Sequence, residues 1–124
     1  MALPPRLEKE LEELLESHQI EVEEGPCINL IFQAFPLGEG FSKSSSDLLL
    51  RIPLPYPDAG PDMFWLDMSV TLANGAIPQA AEQIETYNGR SWRRFSWHRA
   101  AWNPLIDNIH GYLEFVRRRL REKR

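Results

Sequence analysis

The spacing of apolar side chains divides the chain into segments. Leu7, Leu11, Leu14 and Leu15 recur at helical intervals with Glu and Lys between them, and Pro4-Pro5 suits a helix entry, where a missing N–H costs nothing. This spacing predicts a first helix over about residues 5 to 17. Ile20 and Val22 alternate with Glu21 and Glu23, the period of a half-buried strand, until Gly25-Pro26 interrupts it. Cys27 to Phe35 (CINLIFQAF) is rich in β-branched and aromatic residues and predicts a second strand, and Asp47 to Ile52 (DLLLRI) a third. Four prolines between Pro53 and Pro61 cannot donate to a β-ladder, so an ordered extended turn follows, and Met63 to Leu66 resumes as a short fourth strand. Asp67 to Asn88 is weakly periodic, broken by Gly75 and Pro78, and reads as a long flap with at most a helical turn. Trp92 to Phe95 could form a short strand. After Pro104, the residues Leu105, Ile109, Leu113, Val116 and Leu120 fall on one face of a closing helix that runs to about residue 121.

That order predicts an α+β fold: an N-terminal helix, a four-stranded antiparallel meander, a Pro-rich turn and flap, and a C-terminal helix against the sheet. With 124 residues, a single domain over 1–124 is expected, because two cores would each be starved of apolar surface. An apolar fraction of 43% with 26% charged residues argues against disorder. No apolar run is long enough to span a bilayer and the N-terminus enters a charged helix directly, so no membrane role is expected. One cysteine, Cys27, excludes an internal disulfide and a multi-cysteine metal cluster, and a lone thiol fits the cytoplasm. A net charge of −4 argues against a dedicated nucleic-acid binder. The acids crowd the first helix and the strand after it, from Glu8 to Glu24, and the bases crowd the end, from Arg90 to Arg124, which predicts two faces of opposite sign.

Two blocks carry more specific information: Pro53-Leu54-Pro55-Tyr56-Pro57 leading to Pro61-Asp62-Met63-Phe64, and Trp102-Asn103-Pro104 opening the last helix. In this order they resemble the ubiquitin-conjugating (E2/UBC) superfamily, where a proline-rich turn follows the third strand and a W-x-P step follows the active-site cysteine. The resemblance spans nearly the whole chain and is closest to the bacterial prokaryotic E2 family E. It implies a UBC-like fold and work alongside a ubiquitin-like protein, an E1-like activating enzyme and often a JAB-type deconjugating protease; no cofactor is expected. Tyr56, Pro57, Pro61, Phe64, Trp102 and Pro104 are its structural motif residues. The chain departs from the E2 pattern in three places. The stretch before Trp102, from Trp92 to His98, holds no cysteine; no His-Pro-Asn triplet precedes it; and the first helix is Glu-rich where E2 enzymes commonly present bases. These departures argue against ordinary transthiolation, which needs a thiolate.

His98 is the leading site candidate, as a general base, a transient acyl acceptor or a contact for the C-terminal tail of a ubiquitin-like protein; the plain alternative is a structural imidazole. Ser96 beside it invites a nucleophile and base arrangement, but lacks an orienting carboxylate at identifiable spacing. Arg93, Arg94, Trp97 and Arg99 are candidate binding residues, suited to a carboxylate tail or a phosphate, with a solvated rim as the alternative. Interleaved Arg and Trp also occur on single-strand nucleic-acid binders, the more remote reading. A further reading from a different class is a pure interaction module that binds a ubiquitin-like protein or activating enzyme without transferring anything. Cys27 reads as an inert strand residue. His18 and His110 have no Cys or carboxylate at ligand spacing, so no metal site is expected.

Overall fold

The computed structural model describes residues 3–99 and 101–122. Helix α1 spans Pro5–Leu14, with Pro5 in the first turn, and buries Leu7, Leu11 and Leu14. Each of these side chains contributes about 2 kcal/mol of apolar burial. The helix ends three residues before the predicted limit. Residues 15–17 turn instead, with the His18 amide closing on the Leu14 carbonyl at 2.9 Å, and Leu15 is left exposed.

Six strands follow: β1 (Ile20–Glu23), β2 (Cys27–Pro36), β3 (Ser45–Pro53), β4 (Phe64–Asp67), β5 (Ile84–Tyr87) and β6 (Arg90–Phe95). They form one sheet in the order β1-β2-β3-β4-β6-β5, every pair antiparallel. The predicted four-stranded meander is thus the first part of a larger sheet. The predicted flap contains the edge strand β5, which is joined to β6 by Asn88 and Gly89, both at positive φ. That is the geometry of a two-residue hairpin turn whose twist matches its strands.

Alternation along the strands gives the sheet two unlike faces. Ile28, Leu30, Phe32, Leu48, Leu50, Ile52, Phe64, Leu66 and Phe95 pack with α1 and α2 in the main core. Ile31, Leu49, Trp65 and Trp92 form a thinner cluster on the other face. Charged lids cover this cluster: the guanidinium of Arg90 lies 4.0 Å from the Trp92 ring centroid and that of Arg51 3.9 Å from Tyr87. Long cationic side chains can hide apolar surface while their heads stay polar. Glu85 accepts from the Trp65 indole (2.9 Å), the Tyr87 hydroxyl (2.7 Å) and Arg94 (2.9 Å). Burial would raise its pKa, but these donors more than offset that and hold the carboxyl below its ordinary value.

Helix α2 is Ile109–Glu122. It starts later than the apolar spacing suggests because Asn108 caps it, accepting from the Gly111 amide at 2.8 Å. Leu105 consequently lies outside the helix, 90% exposed, in place of the predicted apolar face. Ile109, Leu113, Val116 and Leu120 are buried as the spacing requires. The acidic α1 packs beside the basic α2, and His110 Nε2 meets Glu13 at 3.0 Å across the seam, so the predicted separation of charge is partly cancelled there. Among the described residues no helix is long and apolar enough to cross a membrane.

Candidate functional site

The site is assembled around a buried carboxylate. Glu10, on the inner side of α1, accepts from the Tyr56 hydroxyl (2.5 Å), the Ile109 amide (2.9 Å) and Arg6 Nε (2.9 Å). A buried charge is tolerable only when paired in this way. It joins three distant segments: the first helix, the Pro-rich turn and the start of α2. Arg6 also donates to the carbonyls of Pro104 and Asp107, fixing the turn ahead of α2. The Tyr56 hydroxyl is held far above its ordinary pKa, first by burial and then by its bond to Glu10, so it remains a donor.

On this support rests Trp102, whose indole donates to the Pro57 carbonyl at 2.8 Å and whose ring lies 5.7 Å from that of Tyr56. The ring is packed so closely on Gly60 that a methyl group there would overlap it. A glycine at 60 is required by close approach, not by an unusual φ. The Tyr56–Pro57 peptide bond is cis. Pro61 is buried and Phe64 stacks on Phe95 at 5.1 Å, so the proline-rich block supplies one rigid wall.

His98 stands over this wall. Its Nδ1 lies 2.8 Å from Asp62 Oδ1, and both side chains are open to solvent, at 54% and 61% exposure. Since the carboxylate can only accept, Nδ1 donates and neutral imidazole presents the lone pair of Nε2. Asp62 has no signal in the sequence as a partner, being 36 residues away. A pocket of about 340 Å³ opens here, lined by Gly60, Pro61, Asp62, His98, Arg99 and Trp102. Arg99 reaches Asp107 Oδ1 at 2.8 Å, and Asp107 Oδ2 accepts from the Asn103 amide at 2.7 Å. The Asn103 amide and then Arg99 outweigh burial in holding this carboxyl below its usual range.

The remaining candidates do not converge on the pocket. Arg93 is buried and faces inward, its guanidinium donating to the carbonyls of Ala81 (2.7 Å) and Met68 (3.0 Å), so it fastens the flap to the sheet. Trp97 is a core residue, with its indole donating to the Gln79 carbonyl at 2.7 Å. Arg94 lies on the opposite face of the sheet, paired with Glu85 at 2.9 Å, and donates to Ser96 Oγ at 3.1 Å. The Ser96 hydroxyl is thereby engaged away from His98. Cys27 is half-buried at the start of β2 opposite Pro53, alternates onto the face of Ile31, and lines neither pocket that borders His98. Of the predicted residues, His98 and Arg99 meet, together with Pro61 and Trp102 of the structural motif.

A family model described as Prokaryotic E2 family E matches residues 5–123, nearly the whole chain. The protein is therefore E2-like in class. It belongs to prokaryotic E2 family E. No curated protein and no solved structure matches it.

Proposed function

We propose that this protein is the E2-like component of a bacterial, cytoplasmic ubiquitin-like conjugation or processing system. In this reading it has a UBC-like fold and holds the C-terminal tail of a ubiquitin-like protein in the pocket between His98 and Trp102. The observation that carries the reading is the exposed Asp62–His98 pair at the mouth of a pocket walled by the proline-rich turn and the tryptophan step. An extended, small-residue tail fits a shallow wall of this kind, and Arg99 supplies a cation for its carboxylate. With Nδ1 committed to Asp62, Nε2 is oriented to accept a proton from an attacking nucleophile. No thiol lines the pocket among the described residues, so transfer would use a nucleophile delivered by a partner. An E1-like activating enzyme is the partner such a system would require, and a JAB-type protease one it often includes.

A second reading, a pure interaction module, is supported by the lining of the pocket, which among the described residues includes neither a thiol nor the Ser96 hydroxyl. Incubation with a bacterial E1-like activating enzyme, ATP and a ubiquitin-like protein tests both. The absence of any adduct, turnover or binding rejects both. His98→Ala separates them: an enzyme loses turnover, whereas a module keeps its partner with affinity changed only at the tail.

A further inference from the structure

On the other side of His98 and Arg99 lies a second, larger hollow of about 680 Å³, floored by α2 and lined by His98, Arg99, Phe115, Arg118, Arg119 and Glu122. Three guanidinium groups face one carboxylate there, in a chain whose net charge is negative. The guanidinium groups are also short of acceptors. Arg99 spends one nitrogen on Asp107 and buries its Nη1 without an acceptor; Arg119 likewise buries its Nε without a hydrogen bond, 3.8 Å from Glu122, so these two atoms do not themselves face the hollow. Arg118 is exposed and has no ion-pair partner among the described residues. A hollow with excess fork-shaped donors is suited to oxyanions.

The surrounding rings decide which oxyanions. Single-stranded nucleic acid needs exposed aromatic faces on which bases stack. Here Trp97 is 2% and Phe115 5% exposed, and the Arg119 guanidinium lies over the Trp97 ring at 4.9 Å. Side-chain carboxylates carried on a flexible peptide need neither stacking nor a long basic track. We infer that this hollow is a docking site for an acidic segment of a protein partner, with Arg118 as the anchor and Arg99 and Arg119 adding positive charge to its wall. The hollow shares His98 and Arg99 with the tail-binding pocket, but Arg118 lines this hollow and not that pocket, and the inference does not depend on the partner being ubiquitin-like.

The test is fluorescence anisotropy of the intact chain with a labelled oligoglutamate peptide, and with an oligothymidylate of matching charge. Arg118→Glu is the informative variant, since an exposed residue without a partner can be reversed without loss of fold. Lys43→Glu, exposed on the β2–β3 connection, imposes the same change of net charge elsewhere. Saturable binding of oligoglutamate is expected, weakened at least about tenfold by Arg118→Glu and less than about twofold by Lys43→Glu. It should also fall as NaCl rises from about 50 to about 300 mM. The inference is overturned if oligoglutamate shows no saturable binding at low salt, if the two variants lose affinity equally, or if oligothymidylate binds as tightly as oligoglutamate.

Discussion

Replacing Tyr56 by Phe removes one oxygen from the junction that holds the site together. The lost bond is the 2.5 Å hydroxyl donation to buried Glu10, which leaves Glu10 Oε1 with the Ile109 amide as its remaining donor. A buried hydrogen bond to a charged group contributes about 1.5–3 kcal/mol, and the vacated space is too small to add a large cavity cost. Unfolding entropy of about 2.1 cal/mol/K per residue gives a domain of this size about 0.26 kcal/mol/K, so Tm should fall by about 6–12 °C. Calorimetry or urea titration at neutral pH reads this directly. Because the phenol pKa is raised in the folded state, the bond's stabilisation is complete below the unfolded tyrosine value and is lost progressively as pH rises from there toward the higher folded value. The gap between wild type and Tyr56→Phe should hold up to about pH 9 and shrink above about pH 10. A variant within about 0.5 kcal/mol of wild type would refute the role assigned to Glu10, because that is the range of ordinary surface changes.

Gly60→Ala should force the Trp102 ring off its seat, costing about 1–3 kcal/mol and shifting tryptophan emission; unchanged fluorescence and stability would contradict the close packing. Arg93→Met keeps the volume but strands two flap carbonyls, so stability should fall by about 2 kcal/mol or more and limited proteolysis should cut faster within residues 67–83. His18 has its pKa lowered by burial and then by nearby Arg117 and His110. The unfolded chain therefore takes up this proton first as pH drops below about 6.5, and stability is lost toward the lower folded pKa. The urea midpoint of His18→Gln should change less between pH 7.5 and 5.5 than that of wild type, and equal changes would show that His18 plays no part in the acid sensitivity.

Much of the framework is legible in the residues because most elements follow one period. Leu7, Leu11 and Leu14 mark α1, the runs from Cys27 and Asp47 mark the central strands, and Ile109 to Leu120 mark α2. The β5–β6 hairpin is harder to read for two physical reasons. β5 is a four-residue edge strand whose side chains are largely exposed, and β6 carries an arginine where an inward apolar side chain would be expected. Arg93 is buried because the flap offers it two carbonyls, which no local pattern reveals. The Asn88-Gly89 dipeptide was the available signal, as the usual turn of a tight hairpin. At the site, His98 and Trp102 stand out by composition. Asp62 and Glu10 do not, since their roles arise from contacts between segments 36 and 46 or more residues apart. The alternation of Arg and Trp from 92 to 99 suggests one basic aromatic patch. Strand geometry instead sends Arg93 inward and Arg94 to the far face, because neighbours in a strand point to opposite sides, while Arg99 lies beyond the end of β6 and reaches the pocket from the connection to α2.

Whether the pocket beside His98 holds a tail is read by a calorimetric titration of this protein with a bacterial ubiquitin-like protein, intact and with its C-terminal tail removed. Saturable binding to the intact partner is expected, with at least about tenfold weaker binding without the tail, and a similar loss when His98 is replaced by Ala. Equal affinity for intact and truncated partner, with His98→Ala indistinguishable from wild type, would contradict a tail-binding role for the pocket.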